Sequence, residues 1–384
     1  MFDAILIRFG EIGLKGDNRG FFESTLINNM RKALEGTDSE VIRSSGRIMV
    51  KTRGEHARIL TRLQKVFGIV SMSQVKIVEP EMESIYRSAQ EILDDCDPKP
   101  STFKAESRRA DKKFPYTSPE ISGKVGAYLL EVNPELRVDV HQPEVTINIE
   151  VRDKQAYVFK DASAGPGGLP VGVCGRGLLL LSGGIDSPVA GWMAMKRGIK
   201  LSVVHFHSFP YTSERSRLKV IDLAKVLSEF NQGLNLSIVN MAEIQETIKE
   251  RCPERFRVTL LRRLMLRISE RIARRSHIQT LITGESVGQV ASQTLESMTV
   301  IGDAIRMLVL RPLAGMDKIE ISERAKNIGT YNISILPYDD CCSLFLPRHP
   351  VTKPQLNRVQ EAEAVVDWEP LLDKAVNNLE IVEL

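Results

Sequence analysis

The sequence predicts a multidomain α/β protein whose last and largest domain is a doubly wound parallel β-sheet. Up to residue 162, helical stretches mix with short strands, which is typical of small α+β units. From Gly177 onward, apolar runs alternate with helical stretches in the βαβα rhythm of a parallel sheet. These apolar runs cover residues 178–181, 201–206, 236–241, 280–283 and 307–310.

Length and composition narrow the class of protein. A chain of 384 residues is long enough for two or three domains. Lys and Arg number 52 against 49 Asp and Glu, and this balance is too even to indicate nucleic-acid binding from bulk charge. Five cysteines without a CxxC pair argue against a secreted disulfide scaffold, a zinc ribbon or an iron–sulfur cluster, and favour the cytoplasm. No apolar run approaches the ~20 residues of a membrane span, and no signal peptide is indicated.

The first domain is expected at residues 1–54. An apolar run at 4–9 predicts a strand, and a Gly-rich turn at 10–20 leads into a helix from Phe21 to about Leu34. Two short strands are predicted to follow, at 40–44 and 47–52.

The second domain is expected at residues 55–162. Its predicted helices cover 55–66, 82–94 and 118–132, and its predicted strands cover 74–79, 101–107, 136–140, 144–151 and 155–160. A Gly- and Pro-rich stretch at 163–176 is typical of a linker, so the final domain is expected at 177–384. Its last 25 residues hold seven acids and one lysine, which we interpret as a solvated closing helix.

The most informative motif is Ser-Gly-Gly-Ile-Asp-Ser-Pro, which directly follows the Leu-rich strand. Gly183 and Gly184 allow backbone N–H groups to approach an anion, and a following helix adds partial positive charge at its N-terminus. Ser182 and Ser187 can donate hydroxyl hydrogens to phosphate oxygens, and Ser187 also suits the N-cap position. Asp186 is unusual beside phosphate unless it helps to hold Mg²⁺, and no metal site made by protein alone is predicted.

Other phosphate loops are excluded. The loop at 182–188 lacks the Lys-Ser/Thr pair of a Walker loop, and the sequence contains no GxGxxG dinucleotide fingerprint. The alternative to a phosphate-binding loop is an ordinary Gly-containing turn. The complete strand–loop–helix unit argues against that alternative. The motif resembles the pyrophosphate loop of ATP pyrophosphatases, which cleave ATP between the α and β phosphates. That resemblance implies an enzyme in which ATP adenylates a carbonyl oxygen and so turns it into a leaving group.

Other strand ends should line the same site, because such sheets bind ligands at the carboxyl ends of their strands. One strand ends at His205-Phe206-His207, where a ring could meet adenine or ribose, although a buried core histidine is an equally good interpretation. A later strand ends at Thr283-Gly284, where glycine permits close approach, and Gln293 offers both donors and acceptors.

An arginine-rich segment, residues 251–275, has helical periodicity. Leucine, isoleucine and methionine side chains fall on one face, and four arginines fall on the opposite face, which we call the helix arginine stripe: Arg263, Arg267, Arg271 and Arg274. Two interpretations of the stripe are left: its arginines contact tRNA phosphates, or they form an ordinary solvent-exposed face. Arg262 lies at the border of the buried face, where we favour a direction toward ATP phosphates over a structural ion pair.

Two adjacent cysteines, Cys341 and Cys342, follow Asp339 and Asp340. Two neighbouring cysteines suit neither one metal ion nor a relaxed disulfide. One interpretation is a small buried hydrophobe, and the sharper one is a nucleophilic thiol that carries sulfur as a persulfide. The flanking aspartates disfavour a thiolate, which counts against the second interpretation.

Taken in order along the chain, these motifs resemble the ThiI family of tRNA uridine 4-sulfurtransferases. The similarity covers the opening segment 8–23, the pyrophosphate loop, the segment 205–208, the segment 283–293 and Asp340-Cys341-Cys342. It implies an N-terminal ferredoxin-like domain, a THUMP RNA-binding domain at 55–162 and a C-terminal ATP pyrophosphatase domain.

The resemblance also implies roles for individual residues. Cys341 would be the catalytic cysteine, Asp186 would act in the pyrophosphate loop, and Mg²⁺ would accompany ATP. The implied ATP contacts are Leu180, Leu181, Ser182, Gly183, Gly184, Asp186, Ser187, His205, Phe206, Arg262, Gly284 and Gln293. The candidate tRNA contacts are basic residues in the Gly-rich turn and in the THUMP segment, where they interleave with Phe103 and Phe114: Lys15, Arg19, Lys104, Arg108, Arg109, Lys112 and Lys113.

As implied by the family, ATP would adenylate O4 of uridine 8 in tRNA, and persulfide sulfur from a cysteine desulfurase would displace AMP. The implied partners are tRNA, that desulfurase, a sulfur-carrier protein of thiamine thiazole synthesis and a second copy of the chain. Some family members carry a C-terminal rhodanese domain, and this sequence ends at Leu384 without one. The resolving thiol is therefore open between Cys342, Cys174, Cys252 and an external reductant.

Two other functions remain to be tested. One keeps ATP-dependent adenylation but makes another product, such as 2-thiouridine or lysidine, or uses glutamine-derived ammonia. The absence of a CxxC pair and of a glutaminase-like nucleophile weighs against it. The other is a non-catalytic RNA-binding adaptor with a relict nucleotide site, and the intact loop argues against that.

Overall fold

The computed structural model describes residues 2–44, 47–152, 154–338 and 351–384. The chain divides into two compact units, Met1–Gly168 and Leu169–Leu384. The division falls inside the predicted linker 163–176, while the expected boundaries at residues 54 and 162 stay predictions. No helix in the described ranges is long and apolar enough to cross a lipid bilayer.

The first unit is an α/β unit built on one continuous sheet. Its elements are β1 Ala4–Phe9, α1 Arg19–Ala33, β2 Ser39–Ser44, β3 Arg47–Thr52, α2 His56–Leu63, β4 Ile69–Val78, α3 Met82–Asp94, β5 Thr102–Arg109, α4 Ser118–Val132, β6 Arg137–Val138, β7 Val145–Val151, β8 Ala156–Phe159 and β9 Ser163–Ala164. The strand order is β2-β3-β1-β4-β8-β7-β5-β6, and β9 pairs with β4.

The long strand β4 joins the two halves of this sheet. Its first part pairs antiparallel with β1, and its last three residues pair antiparallel with β8. Alternate side chains of each half face separate cores: Ile5 and Ile7 pack with residues of α1 and α2, whereas Ile147 and Ile149 pack with residues of α3 and α4. The opposite face of the strands carries Arg8, which is half-buried.

The second unit contains the parallel sheet that the sequence predicts. Its elements are β10 Arg176–Leu180, α5 Asp186–Lys196, β11 Lys200–His207, α6 Glu214–Asn231, β12 Asn235–Asn240, α7 Ala242–Arg251, α8 Arg257–Arg275, β13 Thr280–Ile282, α9 Leu295–Gly302, β14 Leu308–Leu310, α10 Lys318–Ile328, α11 Tyr331–Ser334, α12 Leu356–Glu363, α13 Glu369–Asn377 and β15 Glu380–Glu383. The strand order is β14-β13-β10-β11-β12-β15.

The strand order reverses next to β10. From β10 the chain adds β11 and then β12 on one side, all parallel, and then returns to place β13 and β14 on the other side. The carboxyl ends of β10 and β13 therefore flank a crevice, which is where ligands bind in open sheets of this kind.

The predicted solvated closing helix is wrong. The acidic C-terminal segment forms two helices, α12 and α13, and a strand, β15, that pairs antiparallel with β12. Glu363, Glu369 and Asp373 pair with arginines of α8. Glu363 accepts hydrogen bonds from Arg263 and Arg267 with only 12% of its side chain exposed. Ion pairing with a distant helix, invisible in the local sequence, keeps this segment on the core.

Candidate active site

The loop after β10 is closed by its own serines. The Ser187 hydroxyl accepts a hydrogen bond from the Ser182 backbone N–H at 2.9 Å, and the two hydroxyl oxygens lie 3.1 Å apart. Helix α5 begins at Asp186, so the predicted N-cap role of Ser187 is wrong. Ser187 lies in the first helical turn, where its hydroxyl ties the loop to the helix instead of capping it.

Glycine is required where β13 reaches this loop. A Cβ atom added at Gly284 would lie 2.6 Å from the backbone nitrogen of Ser187 and 2.9 Å from the carbonyl carbon of Asp186. Backbone atoms cannot yield as a flexible side chain can, so a larger residue would push the two segments apart. The group that approaches Gly284 closely is therefore the backbone of the loop itself.

A cavity of about 320 Å³ lies at the reversal of strand order, between the ends of β10 and β13. Its lining combines polar groups from the loop and strand ends with apolar side chains from α8 and α9: Leu180, Ser182, Asp186, Ser187, Arg262, Met265, Leu266, Thr283, Gly284, Glu285, Val290, Gln293 and Ile301. An apolar wall beside a loop rich in hydroxyl and N–H groups suits a ligand with one flat apolar end and one anionic end.

Most of the predicted ATP-binding residues line this cavity, and some stand behind it. Leu181, Gly183, Gly184, His205 and Phe206 are absent from the lining. The His205 ring is 4% exposed, and its Nδ1 lies 3.0 Å from the Leu181 carbonyl oxygen, to which it donates. Phe206 is equally buried in the hydrophobic core. Both side chains therefore support the loop from behind.

Asp186 is an incompletely satisfied carboxylate. Its Oδ2 accepts a hydrogen bond from Gln289 Nε2 at 3.3 Å. Its Oδ1 is buried without a partner among the described residues, as are the amide oxygens of Gln289 and Gln293. Burial raises the pKa of Asp186, and the charge of Lys318 and the Gln289 hydrogen bond oppose that rise. Buried oxygens that lack donors are the ligands that a hard divalent cation prefers, so this set fits Mg²⁺.

Arg262 reaches the cavity in an ion-pair network. Its Nη1 donates to Glu285 Oε1 at 3.0 Å, and Arg311 Nε donates to the other carboxylate oxygen at 2.8 Å. The two interpretations offered for Arg262 are therefore not exclusive, since it lines the cavity and is also ion-paired.

The sequence prediction missed four of these residues. Glu285 and Gln289 belong to the motif segment 283–293, but their partners Arg262 and Asp186 are distant in sequence. Lys318 begins α10 after Asp317, whose capping box with Glu320 is a readable helix-start signal. Arg311 directly follows β14, so the rule that predicts sites at strand ends could have found it.

Cys341 and Cys342 lie outside the described residues, and the chain on either side of them contacts the cavity region. Before them, the Ser334 hydroxyl donates to the Gly184 carbonyl oxygen at 3.3 Å. After them, the Thr352 carbonyl oxygen accepts from the hydroxyls of Thr294 and Ser297, beside the cavity residue Gln293. Both flanks of the cysteine segment therefore lie next to the candidate site.

Two other cysteines are poorly placed to act there. Cys174 is exposed and lies before β10, at the amino ends of the strands, whereas the cavity lies at their carboxyl ends. Cys252 is buried, and burial together with the charge of Glu363 raises the pKa of its thiol. These positions favour Cys342 or an external reductant as the resolving group over Cys174 and Cys252.

The predicted tRNA-binding residues divide into engaged and exposed ones. Lys15 lies over the Phe22 ring, Arg19 pairs with Glu23, and Lys104 pairs with Glu106. Arg109 donates to the Phe114 carbonyl oxygen, which gives it a structural role in the loop after β5. The remaining predicted contacts, Arg108, Lys112 and Lys113, are exposed.

The aromatic part of that prediction is wrong. Phe103 is fully buried and Phe114 is 7% exposed, and both belong to the core beneath α3 and α4. In a strand, alternate side chains face opposite sides of the sheet, so Lys104 and Arg108 cannot share one RNA face with Phe103.

A second set of arginines, which shares only Arg108 with the predicted contacts, gathers around one carboxylate in the first unit. We call it the sheet arginine group: Arg8, Arg47, Arg108 and Arg152. Glu150 accepts from Arg47 Nη2 at 2.7 Å and from Arg152 Nε at 2.9 Å. Burial lowers the pKa of Arg8, Glu150 raises it, and the charges of Arg47 and Arg108 lower it further. Positive charge therefore exceeds negative charge among the residues that the structure describes here.

Comparison with known protein families gives three matches along the chain. Residues 4–73 match the ThiI ferredoxin-like domain, residues 79–161 match the THUMP domain, and residues 172–368 match the family described as thiamine biosynthesis protein (ThiI). These matches confirm the predicted fold class.

Full-length relatives and solved structures agree with these matches. Proteins named probable tRNA sulfurtransferase from Moorella thermoacetica and Halothermothrix orenii are 50% and 51% identical, covering all of this chain and 98% and 99% of theirs. The crystal structure of a 4-thiouridine synthetase–RNA complex with bound ATP superposes with a TM-score of 0.91 at 38% identity, covering all of both chains. PH1313 from Pyrococcus horikoshii gives a TM-score of 0.67 at 26% identity, over 85% of this chain and 99% of that one.

Proposed function

This chain belongs to the ThiI family, and we propose on that premise that it is an ATP-dependent tRNA sulfurtransferase that makes 4-thiouridine at tRNA position 8. The observation that carries the proposal is the cavity at the reversal of strand order, which joins a serine- and glycine-rich loop to an apolar wall. The 4-thiouridine synthetase structure with RNA and ATP, similar over the whole chain, supports the same assignment.

ATP would bind with its purine against the apolar wall and its phosphates at the loop. Leu180, Met265 and Ile301 offer apolar surface in the cavity lining, and Ser182 and Ser187 offer hydroxyl groups in the same lining. Asp186 and Gln289 would hold Mg²⁺ through the buried oxygens that lack protein donors. Mg²⁺, when bound, neutralises phosphate charge and helps pyrophosphate to leave.

Adenylation solves the chemical difficulty of thiolation. The C4 carbonyl of uridine is a poor electrophile, and its oxygen is a poor leaving group. In the proposed first step, uridine O4 attacks the α-phosphorus of ATP, the bond to the bridging oxygen of the β-phosphate breaks, and pyrophosphate leaves. C4 then carries AMP as a leaving group.

The second step uses Cys341 as a persulfide. Its terminal sulfur attacks C4, and the bond from C4 to the AMP oxygen breaks. A second thiol, Cys342 or an external reductant, then attacks the Cys341 sulfur, which releases 4-thiouridine and leaves a disulfide to be reduced. The flanks of the cysteine segment, held by Gly184 on one side and by Thr294 and Ser297 on the other, support a meeting of this thiol with the nucleotide.

The first unit would hold the tRNA. RNA helices are recognised largely through shape and backbone contacts, so an excess of arginine is the relevant signal. We assign that role first to the sheet arginine group and second to the exposed Lys112 and Lys113. The THUMP match at residues 79–161 supports the assignment.

The remaining partners belong to the same proposal. A cysteine desulfurase would load sulfur onto Cys341, and the persulfide would also serve the sulfur-carrier protein of thiazole synthesis, in keeping with the family description. We further propose that the protein acts as a homodimer in the cytoplasm.

The test is thiolation of unmodified tRNA with ATP, Mg²⁺, cysteine and a cysteine desulfurase, with the nucleoside product identified by absorbance, retention and mass. Cys341→Ser and Asp186→Ala should each abolish 4-thiouridine while tRNA binding is kept, and Cys174→Ser serves as the matched cysteine control with full activity. If the product were 2-thiouridine, the proposed reaction would be wrong. If the wild-type protein released no pyrophosphate, a non-catalytic RNA-binding adaptor would be favoured. Full activity of Cys341→Ser would overturn the persulfide role.

A further inference from the structure

Glu285 is a buried carboxylate that holds two arginines at once. Its Oε1 accepts from Arg262 at 3.0 Å, and its Oε2 accepts from Arg311 at 2.8 Å and from the Thr283 hydroxyl at 3.0 Å. Only 11% of its side chain is exposed. Three donors leave this carboxylate little freedom to move, and a bond between an arginine and a carboxylate is directional as well as strong.

The position of Glu285 is fixed relative to the phosphate loop. Its neighbour Gly284 touches the backbone of Asp186 and Ser187 so closely that no side chain fits between them. The chain therefore links the loop to Glu285 through one residue, and Glu285 links to Arg262 through one hydrogen bond. Arg262 lines the cavity together with Gly284 and is held there by its hydrogen bond to Glu285.

The charge of the network also fits an anionic ligand. Two guanidinium groups share one carboxylate, so the group Arg262, Glu285 and Arg311 keeps one positive charge. A phosphate gains from a fixed cation of this kind, whereas the uncharged purine and ribose gain little.

We propose that Glu285 is a positioning residue that aims Arg262 at the phosphates of the bound nucleotide, with Arg311 as its second cation; this inference rests on the ATP site of the proposed function. Glu285 itself touches no reacting atom. Its contribution is to hold the Arg262 guanidinium in a binding orientation before the nucleotide arrives, which lowers the entropic cost of binding.

A purely structural role is the competing explanation, and a carboxylate at the end of α12 that also pairs with α8 supplies the matched control. Glu363 is also about one-tenth exposed, also accepts from two arginines, and also ties down this helix, but it lies outside the cavity lining. Loss of either carboxylate removes one ion-pair partner from each of two arginines, so both substitutions should lower stability. Only loss of Glu285 should change nucleotide binding.

The experiment measures binding of ATP and of adenosine to the full chain by calorimetry in the presence of Mg²⁺. Glu285→Gln should weaken ATP binding roughly tenfold, the effect of one hydrogen bond to a charged group, and leave adenosine binding within about twofold. Glu363→Gln should leave both affinities within about twofold. In tRNA thiolation, Glu285→Gln should raise the KM for ATP more than it lowers kcat, because bound and reacting phosphates are held alike.

Two further variants keep the inference testable if Glu285→Gln folds poorly. Glu285→Asp keeps the charge on a shorter side chain and should lie between wild type and Gln. Arg262→Lys should weaken ATP binding, and adding Glu285→Gln to it should cost little more, because both changes remove one interaction. Equal losses for ATP and adenosine, or additive losses in the double variant, would assign Glu285 a structural role. Failure of the wild-type chain to bind ATP would instead refute the proposed function.

Discussion

The two arginine-rich regions of this molecule differ in how many carboxylates pair with their arginines. The helix arginine stripe of α8 is dense in sequence, yet each of its four members pairs with at least one carboxylate. The sheet arginine group is scattered from residue 8 to residue 152, yet its members meet around the single carboxylate of Glu150. The arginines that are close together in sequence are neutralised by ion pairs, whereas the arginines that are far apart in sequence form a cluster with excess positive charge.

This difference shows which arginines are available to a polyanion. Arg263 is 5% exposed on its side chain and bonds to Glu363 and to the Val300 carbonyl oxygen, so it belongs to the core of the second unit. Neither solvation nor tRNA contact, the two interpretations that the sequence left open, describes it. Arg108 of the sheet arginine group is exposed, and its charge lowers the pKa of Arg8, as one cation does to another nearby.

The largest expected effect separates the two regions by tRNA affinity. The double substitution Arg47→Gln with Arg108→Gln should weaken tRNA binding roughly tenfold or more and reduce the salt slope by about 2, one for each lost phosphate contact. Arg267→Gln with Arg271→Gln removes the same charge from α8 and is the matched control. Filter binding or fluorescence anisotropy across a salt series measures both.

The assignment of tRNA to the sheet arginine group would fail if the α8 pair weakened binding as much as the sheet pair. Equal affinity of the sheet variant and the wild type would refute it too. Far-ultraviolet circular dichroism of each variant checks that the folds are kept.

The sequence predicts the nucleotide loop well because its determinants are consecutive. Strand, glycines, serines and helix start all fall within ten residues, and Gly284 follows from the rule that strand ends line the site. The alternation of apolar runs likewise predicts β10, β11 and β12, since burial on both faces of a parallel sheet demands such runs.

Contacts between distant residues are what the sequence could not reveal. Arg263 and Glu363 are 100 positions apart, and Arg47 and Glu150 are 103 positions apart. The burial of His205 and Phe206 was missed for the same reason, because the local pattern places them at a strand end and cannot show what packs over their rings. Their contact with ATP stays a prediction. Glu285 could be quoted from its motif, but its function depends on partners from α8 and from the end of β14.

A smaller effect is expected from removing the carboxylate at the centre of the sheet arginine group. Glu150→Gln should lower the local unfolding free energy by about 1–3 kcal/mol near neutral pH, because charged hydrogen bonds to Arg47 and Arg152 are lost. Burial works to raise the pKa of Glu150, but the hydrogen bonds and charges of the two arginines outweigh it and leave the pKa lowered.

The sign of the pH dependence follows from that lowered pKa. The stabilisation by Glu150 is present above its unfolded pKa of about 4.3 and is lost as the pH falls through the lower folded value. The gap between wild type and Glu150→Gln should therefore be constant from pH 7 to about pH 5 and close in more acidic solution. Hydrogen exchange of β3 and β7 measures it, and a gap that widened on acidification would contradict the ion-pair account.

The smallest effect should come from the outer edge of the helix arginine stripe. Glu369 accepts from Arg267 and Arg271, which lowers its pKa, but 58% of its side chain is exposed. Water screens such pairs, so Glu369→Gln should cost only about 0.2–1 kcal/mol of unfolding free energy. Urea unfolding followed by tryptophan fluorescence reports on this unit, because Trp192 and Trp368, the two tryptophans of the chain, both belong to it. A loss as large as that of Glu363→Gln would mean that the stripe and its acids form one cooperative network of exposed and buried ion pairs. A small loss would mean that the stabilising pair of the stripe is Arg263 with Glu363. The outer acids would then serve to neutralise arginines that would otherwise compete with the sheet arginine group for RNA.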